Sequence, residues 1–158
     1  MSDFLHRFAR DFSALDARKL HLLSKLYSDD VRFSDPLHRI TGLNALQDYF
    51  AQLYANISEL SFEFHSIDLL REGAGYLRWT MRYRHPRLCS GRMIEVQGCT
   101  YLEWRNGLEW RNGLEWHGGV ERHERVYLHR DYFDAGALLY EHLPLLGSLI
   151  GWLKRRLV

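Results

Sequence analysis

The amino-acid sequence predicts an α+β domain in which helices precede a curved sheet. Its 158 residues are a length typical of one domain. Apolar residues recur at helical spacing as far as Tyr54 and alternate with polar residues from Leu60 onwards, which indicates helices first and strands afterwards. Aromatic residues make up 14% of the chain, which favours strand-rich structure or an aromatic-lined cavity. We therefore predict a single domain over residues 1–158.

The first third of the chain has the apolar spacing of short helices. Residues 4–15 carry one such stripe, and residues 20–27 carry a second that follows Asp16, a residue suited to an N-cap. Residues 31–35 alternate as a strand does, and residues 43–54 show a third helical stripe. The sequence thus predicts two opening helices, a strand and a third helix.

Alternation with period two then predicts an antiparallel sheet from residues 60–66, 76–84, 93–104 and 120–133. In the second of these strands Leu77 and Trp79 belong to an apolar face, whereas Arg78 and Thr80 belong to a polar face. We expect the polar face to line a cavity under the helices. The apolar face would then be exposed unless a second subunit covers it, so we predict a homodimer through the sheet.

Residues 102–119 read LEWRNGLEWRNGLEWHGG, a hexapeptide repeated three times. Each copy alternates and ends in Asn-Gly or Gly-Gly, a pattern typical of a β-hairpin. We predict a hairpin insertion between the last two strands, and prefer a loop at residues 111–113 because it keeps each strand face uniform. A shift of one whole copy preserves those faces, so the register is open. The alternative is an aromatic ladder of Trp104, Trp110 and Trp116 that binds a partner.

Residues 137–158 predict a C-terminal helical tail that ends in a short basic run. We favour packing of this tail over the domain or its partner, and regard contact with a membrane surface as the less favoured alternative. The N-terminus has no apolar signal region, so we expect a cytoplasmic protein.

Composition excludes several function classes. The net charge is +1 with both signs interspersed, which argues against nucleic-acid binding. Cys89 and Cys99 lie outside any C-x-x-C spacing, so we expect neither a zinc site nor a disulfide scaffold. The histidines have no metal-ligand spacing with a carboxylate, so we expect no other metal site. Histidines on the strands, His129 among them, are interpreted as core or surface residues.

The stretch SDDVRFSDP, the long antiparallel strands and the closing segment HRDYFDAG resemble the nuclear transport factor 2-like superfamily. This superfamily includes ketosteroid isomerases, SnoaL-like polyketide cyclases and limonene epoxide hydrolases. The overall resemblance is greatest to SnoaL-like proteins without an assigned reaction, and it covers the chain except for the repeat and the tail. It implies a cone-shaped α+β fold whose curved antiparallel sheet wraps around the N-terminal helices.

The resemblance to ketosteroid isomerase places the general-base role on Asp35. Phe12 stands roughly where that enzyme has a tyrosine donor, and Gln97-Gly98-Cys99 stands where it has an acid. A dienolate would lose the donors that stabilise it, so we do not expect steroid isomerisation.

The resemblance to limonene epoxide hydrolase assigns the water-activating carboxylate to Asp131 and the bridging arginine to Arg78. Thr80 stands at the position of that family's second aspartate, and Phe33 at that of its water-holding tyrosine. The epoxide mechanism is therefore only half present. Tyr132, beside Asp131, is a further candidate donor to a ligand oxygen.

Together these comparisons predict that Asp35, Arg78 and Asp131 converge inside the cone, with a structural ion pair as the alternative. The arginine would lower the pKa values of both carboxyl groups, whereas apolar burial would raise them. We expect the cone to bind a small, mostly apolar molecule and to act without a cofactor as an isomerase, cyclase or hydrolase, with Asp131 or Asp35 as general base. A non-catalytic binding or interaction module is the alternative.

Overall fold

The computed structural model describes residues 3–107, 123–135, 152, 155 and 156. The helices are Asp3–Ser13 (α1), Leu23–Leu26 (α2) and Leu43–Asn56 (α3). The strands are Tyr27–Ser34 (β1), Arg39–Thr41 (β2), Ser58–Arg71 (β3), Ala74–Arg84 (β4), Met93–Gly107 (β5) and His123–Phe133 (β6). The predicted α+β fold class, with helices and a curved sheet, is confirmed.

The strands form one sheet in the order β2-β1-β6-β5-β4-β3. Neighbouring strands are antiparallel except for β1 and β6, which run parallel. The parallel pair joins β1 and β6, which are far apart along the chain. Alternation alone does not predict this long-range pairing. Strand β2 was not predicted either, because three residues are too few to show a period.

The second predicted helix is shorter than its apolar stripe. A 3₁₀ turn over Leu20–Leu22 leads into α2, and the strand β1 already begins at Tyr27. Asp16 is therefore not the N-cap of this helix: its Oδ1 accepts the backbone N–H of Arg18 at 2.8 Å, as in a turn. The stripe continues through Tyr27 because the first residue of β1 faces the same core.

The two faces of β4 are the reverse of the expectation. Leu77, Trp79 and Tyr83 are buried and point toward the helices, whereas Tyr76 and Arg78 are exposed. Burial of the apolar face removes large side chains from water, and burial of an arginine would cost its hydration. The expected polar lining is therefore wrong. The homodimer through the sheet loses its argument from an exposed apolar face and stays a prediction.

The first copy of the repeat belongs to the domain core. Its residues lie in β5, where Leu102 is buried and the ring of Trp104 stacks on that of Phe4 with centroids 4.8 Å apart. The first copy pairs with β6 up to Gly107 opposite His123. The hairpin tip predicted at residues 111–113 and the later copies lie outside the described residues.

The predicted C-terminal helix also lies outside the described residues, apart from residues 152, 155 and 156. Within the described part of the chain, no helix has the length and apolar character needed to cross a membrane.

Gly98 is a tight point between β4 and β5. It lies opposite Trp79, and a Cβ added to it would come within 2.3 Å of Trp79 Cη2. The indole is held in place because its Nε1 donates a hydrogen bond to Thr100 Oγ1 at 2.8 Å. The core therefore tolerates only glycine at this position without rearrangement.

We predict that Gly98→Ala lowers the free energy of unfolding by about 1–3 kcal/mol, because the new methyl group overpacks the core. Urea denaturation followed by tryptophan fluorescence measures the change. Gln97→Ala, at the exposed neighbouring position, serves as control and should change stability by less than about 0.5 kcal/mol. Equal effects of the two substitutions would contradict this packing constraint.

Candidate functional site

A cavity of about 430 Å³ lies between the helices and the inner face of the sheet. Helices α1 and α3 supply one side of its lining, strands β1 and β3 to β6 supply the other, and the turn after β1 contributes Asp35. Ten of the described side chains that line it are Phe, Tyr or Trp. Its polar lining groups are Asp35, His38, Gln52, Asn56, His85, Thr100, His129 and Asp131. A cavity of this size and composition suits a small, mostly apolar molecule.

Asp131 lies on the cavity wall near the end of β6, where its side chain is 16% exposed. Its Oδ1 accepts a hydrogen bond from the Thr100 hydroxyl at 2.5 Å and lies 2.9 Å from Nε2 of His129. The Trp79 indole N–H in turn donates to Thr100 Oγ1. The carboxylate is thus fixed at one oxygen, and both contacts are made by Oδ1.

His129 connects this carboxylate to Tyr27. Its Nδ1 lies 2.9 Å from the Tyr27 hydroxyl, and its side chain is 2% exposed. A carboxylate can only accept, so Nε2 of His129 donates its N–H to Asp131, and Nδ1 accepts from the Tyr27 hydroxyl. Both ring nitrogens thus have partners. Burial, with the negative charge of Asp131 as a further cause, raises the pKa of Tyr27 well above its ordinary value.

Aromatic rings enclose His129. Its ring lies 4.8 Å from that of Phe33, 6.1 Å from that of Phe12 and 6.3 Å from that of Phe8, measured between centroids. These rings pack around the imidazole, whose side chain is buried. The network is therefore largely screened from solvent at His129.

The second carboxylate of the cavity, Asp35, has its side chain only 5% exposed. Its Oδ1 accepts the backbone N–H groups of Leu37 and His38, each at 2.7 Å, and its Oδ2 accepts the Tyr49 hydroxyl at 2.9 Å. Nδ1 of His38 lies 3.1 Å from both oxygens. Asp35 therefore organises the turn after β1 as well as lining the cavity.

Tyr49 lies within the electrostatic influence of both carboxylates. Burial is the largest cause of the raised pKa of its hydroxyl, and the charges of Asp35 and Asp131 raise it further. The two acidic side chains predicted from the sequence are thus brought to one cavity.

The structure places four of the predicted site residues in this cavity: Phe12, Phe33, Asp35 and Asp131. It places Arg78, Thr80 and Tyr132 elsewhere. Arg78 and Tyr132 are exposed on the outer face of the sheet, because they alternate with the inward-facing residues of β4 and β6. Thr80 is buried, but its hydroxyl lies 2.7 Å from Nε2 of His65 and not in the cavity lining.

The predicted convergence of Asp35, Arg78 and Asp131 is therefore wrong in its central member. Among the described residues that line the cavity there is neither an arginine nor a lysine. Arg78 was predicted to hold Asp131. In the structure Thr100 and His129 hold this carboxylate instead. An epoxide-opening arrangement of two carboxylates bridged by an arginine is not reproduced by these side chains.

Sequence reasoning missed His129, Thr100, Tyr27 and Tyr49. A signal for His129 was present, since it stands two residues before Asp131 and therefore shares its strand face. The partnership of Tyr27 and Thr100 with this pair depends on the pairing of β1 and β5 with β6. No local pattern gives that pairing.

A family model described as a SnoaL-like domain matches residues 6–112. The chain belongs to the SnoaL-like family. The matched segment contains Asp35 and Thr100 and ends before His129 and Asp131. Comparison with curated proteins gives no match.

Several solved structures share the fold. A hypothetical protein with a ketosteroid isomerase-like fold from Catenulispora acidiphila, in complex with trimethylamine, is 11% identical, with a TM-score of 0.64 over 90% of this chain and 93% of that one. An epoxide hydrolase of M. tuberculosis, similar to limonene epoxide hydrolase, is 18% identical, with a TM-score of 0.60 over 91% and 88%. A SnoaL-like polyketide cyclase from Shewanella denitrificans is 16% identical, with a TM-score of 0.61 over 86% and 94%. These likenesses show the fold.

We predict that Thr100→Val lowers the free energy of unfolding by about 1–3 kcal/mol, because it leaves the buried Trp79 N–H without its acceptor and removes one donor to Asp131. Thermal or urea unfolding measures the loss. Thr41→Val, at an exposed position of β2, is the matched control. If both substitutions leave stability unchanged, the hydrogen bonds of Thr100 contribute nothing to the fold.

Proposed function

We propose that this protein catalyses an acid/base reaction on a small, mostly apolar molecule, without a cofactor, and that Asp131 is the general base. The observation that carries the proposal is a carboxylate on the wall of an apolar cavity, held at Oδ1 by Thr100 and His129. A base that is fixed in orientation and partly shielded from water is suited to proton transfer.

In the proposed reaction the substrate proton moves to Oδ2 of Asp131, the oxygen that the Thr100 and His129 contacts do not use. The two donors at Oδ1 keep the carboxylate in one rotamer. His129 acts as a positioning residue, and Tyr27 fixes its tautomer through Nδ1. The aromatic lining holds the carbon skeleton against the base. Return of the proton to another atom of the same substrate gives isomerisation or ring closure.

Hydrolysis of an epoxide is the less favoured reaction class. It needs a second acid to protonate the leaving oxygen, and the remaining carboxylate, Asp35, has both oxygens engaged by its own turn and by Tyr49. Thr80, at the position of that acid in the related enzymes, lies outside the cavity lining.

Ligand binding without turnover is the second candidate function. It is favoured by the internal pairing of the cavity's polar groups, since Asp35 bonds to Tyr49 and Asp131 bonds to Thr100. In that case the same cavity is a receptor, and substitution of Asp131 alters binding alone.

Exchange of carbon-bound protons in D₂O tests the proposed base before the product is known. Wild-type protein is incubated with small apolar ketones, such as cyclohexanone, acetophenone and 2-tetralone, and deuterium uptake is followed by NMR. We expect accelerated exchange of at least one ketone. Asp131→Asn should reduce the acceleration by at least about 100-fold, because the amide cannot accept the proton.

Arg78→Ala is the control, since Arg78 lies on the outer face, and it should exchange at the wild-type rate. His129→Gln should give an intermediate rate, because it loosens the orientation of Asp131 without removing it. The general-base proposal is contradicted if Asp131→Asn exchanges protons as fast as the wild type. It is also contradicted if no ketone shows accelerated exchange. Binding of these ketones without exchange supports the receptor.

A further inference from the structure

The charges of the cavity are unbalanced. Asp35 and Asp131 line it, and no lysine or arginine does so among the described residues. The outer surface is different, because there the carboxylates have arginine partners. Arg105 lies 2.6 Å from Asp30, Arg82 lies 2.7 Å from Glu63 and Arg84 lies 2.8 Å from Glu59. Three exposed carboxylates thus have arginine partners, whereas the ion-pair contacts of the two cavity carboxylates are made by histidines, His38 and His129.

The partners of the cavity carboxylates are mainly neutral donors. Asp131 has the Thr100 hydroxyl and the N–H of His129, whose other nitrogen is satisfied by Tyr27. Asp35 has two backbone N–H groups, the Tyr49 hydroxyl and the half-exposed His38. Hydrogen bonds satisfy the oxygens in this way but leave the negative charge in place. A nearby positive charge favours the ionised form of such a carboxyl group.

Aromatic rings line the same cavity as the two carboxylates. The ring of Phe33 lies 5.5 Å from that of Tyr49 and 6.0 Å from that of Phe50, and Phe12 lies 5.9 Å from Phe50. All four rings line the cavity. The face of an aromatic ring attracts an organic cation, and the attraction is greatest where water is excluded.

We propose that the cavity selects molecules in which an ammonium group adjoins an apolar skeleton, so that the ligand supplies the positive charge that the described lining residues lack as lysine or arginine. The proposal rests on the proposed function only in placing the ligand in this cavity. The ammonium group would lie between Asp35, Asp131 and the rings of Phe33 and Tyr49, and the apolar part would occupy the rest of the lining.

The negative charge of Asp131 also acts on the pKa values of nearby groups. The charge of Asp131 contributes to the raised pKa values of Tyr27, Tyr49 and Cys99, after burial as the largest cause in each case. A cation in the cavity is stabilised by the same potential that opposes ionisation of these groups.

Calorimetric titration with three probes of nearly equal shape tests the proposal. The probes are para-(trimethylammonio)benzyl alcohol, its uncharged carbon isostere para-tert-butylbenzyl alcohol, and the anion para-tert-butylbenzoate. Titration at about pH 8 keeps an ordinary histidine largely neutral. We expect the cation to bind about tenfold more tightly than the alcohol, and the anion to bind most weakly. A purely apolar cavity would prefer the alcohol.

Asp131→Asn and Asp35→Asn should each weaken binding of the cation several-fold and leave binding of the alcohol within about twofold. Asp48→Asn, an equal change of charge at an exposed position of α3, should leave both unchanged. Circular dichroism confirms that each variant is folded.

Equal affinity for cation and alcohol, preference for the anion, or no detectable binding of the cation overturns the proposal. So does an unchanged preference in both Asp35→Asn and Asp131→Asn. These outcomes are separate from a failure of the general base, which is measured by exchange of ketone protons. Exchange that depends on Asp131 without preference for the cation leaves the base in place and removes the ligand class.

Discussion

The contact on which the site depends is the pairing of a buried histidine with a carboxylate. His129 cannot be buried unless both ring nitrogens have partners, and it obtains them from Tyr27 on one side and Asp131 on the other. These partners come from β1 and β6, the parallel pair. The network therefore joins two neighbouring strands that lie far apart along the chain, and any change that separates them disturbs the orientation of Asp131.

The alternation of side chains along the strands divides chemistry between the two faces of the sheet. The inner face carries aromatic residues with a few hydrogen-bonded polar groups, whereas Arg78, Arg82 and Arg84 lie on the other face of β4. Because no arginine reaches the described lining, Asp131 has no guanidinium partner there. Both the proposed general base and the proposed preference for a cationic ligand depend on this absence of an arginine partner.

Membership of the SnoaL-like family sets the architecture and leaves the reaction open. The family match and the solved structures share a fold that serves cyclases, isomerases and hydrolases. The chemistry proposed for this chain depends on its own side chains, above all on Thr100 and His129 at Oδ1 of Asp131. The absence of Arg78 from the lining separates this cavity from an epoxide site built on two carboxylates and an arginine.

The sequence by itself determined the fold class, the positions of most helices and strands, and four residues of the cavity: Phe12, Phe33, Asp35 and Asp131. These features could be predicted because the spacing of apolar residues and the family motifs are both local properties of the sequence. The prediction that Arg78 and Tyr132 face the cavity was wrong. Alternation shows which residues share a face of a strand, but not which face packs against the helices.

Only the tertiary structure decided that His129 is a site residue and that Tyr27 and Thr100 are its network partners. Their association joins residues up to 102 positions apart, through the parallel pairing of β1 with β6 and the antiparallel pairing of β5 with β6. Such pairings are fixed by burial of the whole aromatic core at once. No short segment contains that information, because each segment gains its burial from the others.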